Sequence, residues 1–157
     1  MPRKPSIKRM PVQSDVEDAI ASGFETLRDL RDEIRDAVEA MSESPGLAAT
    51  GRYQTLSDTA DSLDNFVDDE PSVPECVGGE RCEYTENREK KLTRSGRLNN
   101  ATAALTAAAD AIRSWIDDQD ADDEDAASDI ADAEQLADEL EGYVSEAEGC
   151  EFPGMYG

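Results

Sequence analysis

The run "WIDDQDADDEDAASDI", residues 115–130, places eight carboxylates in sixteen positions with no positive charge among them. Carboxylates this dense can coordinate a hard cation, imitate a phosphate backbone, or keep a turn hydrated. For calcium, acids counted from Asp118 fall at loop positions 1, 3 and 5 (Asp118, Asp120, Asp122), the spacing that gathers oxygen ligands in a helix–loop–helix site. The same frame then needs glycine at position 6, an apolar anchor at 8 and a bidentate glutamate at 12. It finds Asp123, Asp125 and Asp129. A calcium-binding helical module is therefore the lesser reading, and no metal ligand is assigned.

Phosphate imitation asks only for density. Duplex DNA carries a charge about every 1.7 Å of axis, and a helix presenting one acid per turn carries one every ~5–6 Å. Several such helices side by side approach what a DNA-binding cleft grips. The contact tract expected on this reading is Asp117, Asp118, Asp120, Asp122, Asp123, Glu124 and Asp125, helped by Asp129, Asp132 and Glu139. Hydration is the competing explanation: lysines number four against eleven arginines and aspartate is abundant, which is also how salt-adapted surfaces look.

Other chemistry finds little footing. Zinc needs four ligands, and Cys76, Cys82 and Cys150 with no histidine leave the set short. Cys76 and Cys82 flank "VGGER", a spacing open to a small disulfide loop or to two free thiols in a reduced compartment. Without histidine there is no side chain whose ordinary pKa lies near neutrality. No glycine-rich phosphate loop or nucleophile elbow is present, and carboxylates on wet helix faces do not specialise into acid and base. The expectation is a protein that is not an enzyme and uses no cofactor.

The chain has 157 residues, 38 acidic against 15 basic, for a formal charge of −23 and a sequence pI near 4.1. That charge argues against naked nucleic acid as a direct partner. The charge is also segregated: residues 98–157 hold 17 acids and one base, Arg113. Bases collect in the first eleven residues, where Arg3, Lys4, Lys8 and Arg9 make a candidate basic arm among three prolines, and again around residues 81–97. No apolar run is long enough to span a bilayer, and the N-terminus has no apolar centre of a secretion signal. The expected setting is cytoplasmic with no membrane partner.

Four amphipathic segments would carry these groups. Ser14 and Glu17 in "SDVE" have capping-box form, opening a helix to about Met41 with Val16, Ile20, Leu27, Leu30, Ile34, Val38 and Met41 on one stripe. A second helix fits 52–67 on Tyr53, Leu56, Ala60, Leu63 and Phe66/Val67. A third fits 97–118 on Leu98, Ala101, Leu105, Ala109, Ile112, Trp115 and Ile116. A fourth runs about 125–148 on Ala126, Ile130, Ala133, Leu136, Ala137, Leu140, Tyr143 and Val144. Between them residues 68–97 read as an irregular linker, with nothing helical before residue 80 and at most a short hairpin after it.

The pattern repeats. "TADSLDNFV" (59–67) matches "LADELEGYV" (136–144) at an offset of 77, and "IRDAVEAM" from residue 34 matches "IRSWIDDQ" from residue 112 at an offset of 78. The predicted architecture is all-α: one domain, a four-helix bundle from two duplicated helical hairpins (14–67 and 98–157), preceded by the arm at 1–13 and joined by the 68–97 linker.

The segments "PSVPE", "EYTENR" and "TRSGRLNNA" sit in a layout of acidic hairpin, proline-rich break, short basic Tyr-Thr segment and Ser/Arg-rich helix start. That layout, over roughly residues 20–116, resembles small acidic helical proteins of tailed phages. The resemblance implies a genomic setting: either an early protein that disables a host nucleic-acid or defence enzyme, or a virion structural or assembly component. Some phages make restriction inhibitors that are acidic helical DNA mimics, though this chain does not share their sequence. The expected partner is a basic protein surface on such a host protein. Under the assembly alternative the basic arm reaches onto a neighbouring copy in a homo-oligomer.

Overall fold

The computed structural model describes residues 9–120 and 122–152. Its elements are β1 (Arg9–Asp15), α1 (Val16–Ser42), α2 (Pro45–Ala48), α3 (Gly51–Asp64), α4 (Glu75–Gly78), β2 (Arg81–Asn87), α5 (Arg94–Asp117) and α6 (Glu124–Glu148). The protein is mostly helical, as the periodicity requires. Among the described residues, however, there are six helices and a two-stranded antiparallel sheet rather than four helices alone.

The long helices begin at side-chain caps that accept first-turn N–H groups. Asp15 accepts from the Asp18 N–H at 2.8 Å. Thr50 accepts from Tyr53, Thr93 from Gly96 and Asp123 from Asp125. The expected capping box on Ser14 is thus corrected by one residue. Ser14 lies in the β ladder opposite Cys82 with its hydroxyl donating to the Asp15 carbonyl, whereas Asp15, the last residue of the strand, turns its carboxylate onto the Asp18 N–H.

Residues 9–13, expected as an extended arm, form most of β1. Its register with β2 runs from Arg9 opposite Asn87 to Asp15 opposite Arg81. Pro11 is tolerated because each strand of a two-stranded ribbon keeps one free edge. Arg9 therefore belongs to the folded body; Arg3, Lys4 and Lys8 lie outside the described residues. The 68–97 segment is corrected as well. It contains the one-turn α4, with Val77 fully buried, and β2, whose partner is β1 and not a neighbouring hairpin strand. One face of β2, with Cys82 buried and Tyr84 half-buried, rests on α5. At the end of the strand Asn100 of α5 imitates a further strand, accepting from the Asn87 N–H and donating to the Asn87 carbonyl, both at 2.9 Å.

The core is layered about the α1–α5 pair. α1 packs along α5, α3 covers the other side of α1, and α6 covers α5. Two neighbours make the buried arc of α1 broader than a single stripe, so Ala19, Gly23 and Phe24 join Ile20, Leu27, Leu30 and Ile34 inside. At the crossing the helices come close: a Cβ placed on Gly23 would lie 2.9 Å from Leu105 Cγ and Cδ2 and 3.2 Å from the Ala101 carbonyl oxygen. Phe24 meets Phe66 and Tyr143 edge-on, while Phe66 and Tyr143 stack at 5.1 Å. This aromatic group ties α1 to the end of α3 and to α6.

Candidate functional site

The acidic tract occupies the α5–α6 turn and one stripe of α6. Asp117 ends α5 and Asp118 is its C-cap. Asp120 accepts the Asp122 N–H at 3.0 Å, and Asp123 caps α6 by accepting the Asp125 N–H at 3.0 Å. Asp120, which a calcium loop would aim at an ion, and Asp123, at that loop's glycine position, are therefore engaged in closing a turn. Among the described residues, no group of three or more His, Cys, Asp or Glu converges to hold a metal.

From the turn, Asp125, Asp129, Asp132 and Glu139 follow at helical spacings of four, three and seven, a single stripe along ~21 Å of α6. All ten predicted contact residues except the half-buried Glu139 are exposed. None is ion-paired among the described residues. The structure thus brings the ten together as one continuous surface rather than a pocket.

That stripe borders a feature the sequence reading missed. Pro71, Ser72 and Pro74 run beside α6 and, with Asp132, Gln135, Leu136 and Glu139, form an open groove of about 370 Å³. Gln135 donates to Glu139 at 3.3 Å, and the Cys76 thiol lies 3.9 Å from the Asp129 carbonyl oxygen. Proline in "PSVPE" signalled an extended segment, but nothing local signalled which helix it would lie against.

The arginines are placed differently. Arg28, Arg31 and Arg35 form a ladder on α1: Arg28 bonds the Val67 carbonyl and Glu70, Arg31 bonds Asp32, Asp64 and Asp68, and Arg35 pairs with Asp61 and Asp64. Arg94 and Arg97 of α5 clasp Glu33 of α1 at 3.1 and 2.6 Å. Burial works to raise the Glu33 pKa, but hydrogen bonds from Arg97 and Arg94 outweigh it and leave the group below its ordinary value. Arg113 of α5 holds Asp138 and Glu141 of α6 at 2.5 and 2.8 Å. These six arginines thus sit at helix joints, while Arg9, Arg52, Arg81, Arg88, Lys90 and Lys91 are exposed outside the α5–α6 turn.

All three cysteines are free thiols. Burial, with Glu146 nearby, pushes the Cys150 thiol up to about 11; burial likewise raises Cys76 and Cys82. Such thiols are poor nucleophiles near neutrality. No described helix is long and apolar enough to cross a membrane. No protein-family model matches the chain, and neither a curated protein nor a solved structure gives a significant match.

Proposed function

We propose that the chain is an interaction protein whose acidic turn and α6 stripe occupy a basic, nucleic-acid-binding surface of a host nucleic-acid-processing or defence protein and block it. The observation that carries this reading comes from comparing the two hairpins as duplicates. Both keep the same inter-helix clamp. Arg35 holds Asp61 and Asp64; Arg113, its counterpart at the offset of 78, holds Asp138 and Glu141, the counterparts of those acids at the offset of 77. Their connections differ. Between α1 and α3, residues 43–50 contain one acid, Glu43; between α5 and α6, Asp118, Asp120, Asp122 and Asp123 follow in close succession.

Adaptation to salt would acidify both connections, since solvent meets both alike. Concentration in one of two equivalent turns favours a local target. A basic groove supplies its chemistry: long-range attraction speeds encounter, and displacement of the nucleic acid inhibits the partner.

The test replaces Asp117, Asp118, Asp120 and Asp122 together with asparagine, which keeps the turn acceptors but removes charge. The variant should melt at or above the parental temperature because self-repulsion falls. It should also lose capture of host nucleic-acid-binding proteins from infected-cell extract. Capture by the parent should be released by added duplex DNA and by raising salt from ~50 to ~200 mM. Captured proteins that withstand both treatments, or that are only virion components, would refute the reading.

A further inference from the structure

We propose that the body is a fused dimer: two copies of one strand–helix–helix unit, β1–α1–α3 and β2–α5–α6, joined in one chain and facing each other across a pseudo-twofold axis. The contact between the halves is then an isologous interface, the kind made by two copies of the same surface. This goes beyond the duplicated hairpins invoked above and holds whatever the acidic surface binds.

Repeated amphipathic helices can arise by chance likeness, but chance does not make equivalent residues meet. An axis does, and they meet at two separate places. At the α1–α5 crossing Gly23 lies against Ala101, its counterpart at the offset of 78. Further along, Phe66 and Tyr143, counterparts at the offset of 77, stack with their planes 12° apart. The antiparallel ribbon, with Val12 opposite Tyr84 at its centre, is compatible with the same axis. The strand offset of 72 becomes 78 in the first helices because residues 88–93 separate β2 from α5, whereas β1 runs directly into α1.

The tails follow the same relation. After α6 the chain crosses to α3, where the Thr59 hydroxyl donates to the Glu151 carbonyl at 2.8 Å. After α3 it crosses to α6, where Pro74 and Leu136 line one groove. Leu136 is the counterpart of Thr59, and Glu151 of Pro74, both at the offset of 77. Each unit thus lays its tail on the outer helix of the other.

The experiment exchanges axis-related blocks within the full chain. Residues 60–67 (ADSLDNFV) and 137–144 (ADELEGYV) are swapped, which changes four positions in each. A one-sided version, S62E/D64E/N65G/F66Y, makes both blocks ADELEGYV and guards against a double swap that overloads one site. The control replaces 60–67 with ADAIDSWI, the sequence of 109–116 with Asp64 kept for its arginine partners, which has the same apolar phase but is not related to it by the axis. The axis predicts cooperative thermal melting for at least one of the first two variants, with Tm within about 5 °C of the parent, and loss of cooperative melting for the control. Failure of both axis-related variants, or equal tolerance of the control, overturns the proposal.

Discussion

Gly23→Ala sets two opposing effects against each other at the α1–α5 crossing. Alanine in place of glycine inside a helix gains roughly 0.8–1 kcal/mol from chain entropy. The new methyl, however, would stand 2.9 Å from both Leu105 Cγ and Cδ2 and 3.2 Å from a backbone oxygen of α5. Leu105 is fully buried, so it cannot swing into solvent, and the Ala101 carbonyl is part of its helix. Overpacking of this kind costs about 1–3 kcal/mol. The steric cost outweighs the gain, leaving a net loss of up to ~2 kcal/mol, or a Tm decrease of up to roughly 8 °C for a domain of this size. Gly142→Ala supplies the internal control. It lies on the exposed side of α6 with nothing within 4 Å of the added Cβ, so only the entropic gain remains. Its Tm should rise by about 2–4 °C. Thermal melts followed by circular dichroism read both signs. A Gly23→Ala variant that melts higher than the parent, as Gly142→Ala should, would refute the close approach of the two helices and the layering built on it.

Glu33 is held below its ordinary pKa in the folded state by Arg97 and Arg94. Its stabilising contribution is thus present above the unfolded-state value, near ~4.3, and disappears as pH falls through the lower folded value. Glu33→Gln should accordingly be less stable than the parent at pH 7, and that gap should close on acidification; a gap that widens toward low pH would contradict the clasp. For the thiols, a pKa of about 11 leaves Cys150 mostly protonated at pH 8. A disulfide-exchange reagent at pH 8 should therefore label the native protein slowly, and denaturant should release three reactive thiols. A fast equivalent in the native state, or only one thiol after unfolding, would count against the buried, unpaired arrangement.

How far the fold could be read beforehand depended on what each element's order rests on. The long helices were legible because their apolar residues recur at the helical period: the expected spans 97–118 and 125–148 became Arg94–Asp117 and Glu124–Glu148. Phe24 was missed because a stripe is drawn for one neighbour and α1 has two. The ribbon was missed because its strands are remote from each other in the chain, β1 offers Val12 as its one β-branched residue, and Pro11 reads as a strand breaker. α4 is a single turn after Pro74 and carries no periodicity to detect; Val77 is fixed by tertiary burial. The ten carboxylates were legible as a group because exposure is the default for acids. The groove beside them was not, since its other wall, Pro71 to Pro74, comes from a segment far upstream of α6.

On the proposed duplication, the electrostatic polarity of the protein traces to a few differences between its halves. The shared arginine, Arg35 or Arg113, commits its charge to a helix joint and leaves none for the surface. Arg28 and Arg31 neutralise Glu70, Asp64 and Asp68 in the first half, yet their counterparts at the offset of 78 are Thr106 and Ala109. Ala109 is buried and Thr106 carries no charge, so α5 has no cation to offer the stripe on α6 at either position. Exposed ion pairs contribute little to stability, so the second half gives up little by lacking them. What it gains is an unscreened anionic edge, continuous from the α5–α6 turn along α6, on a framework whose joints are already closed by arginines elsewhere.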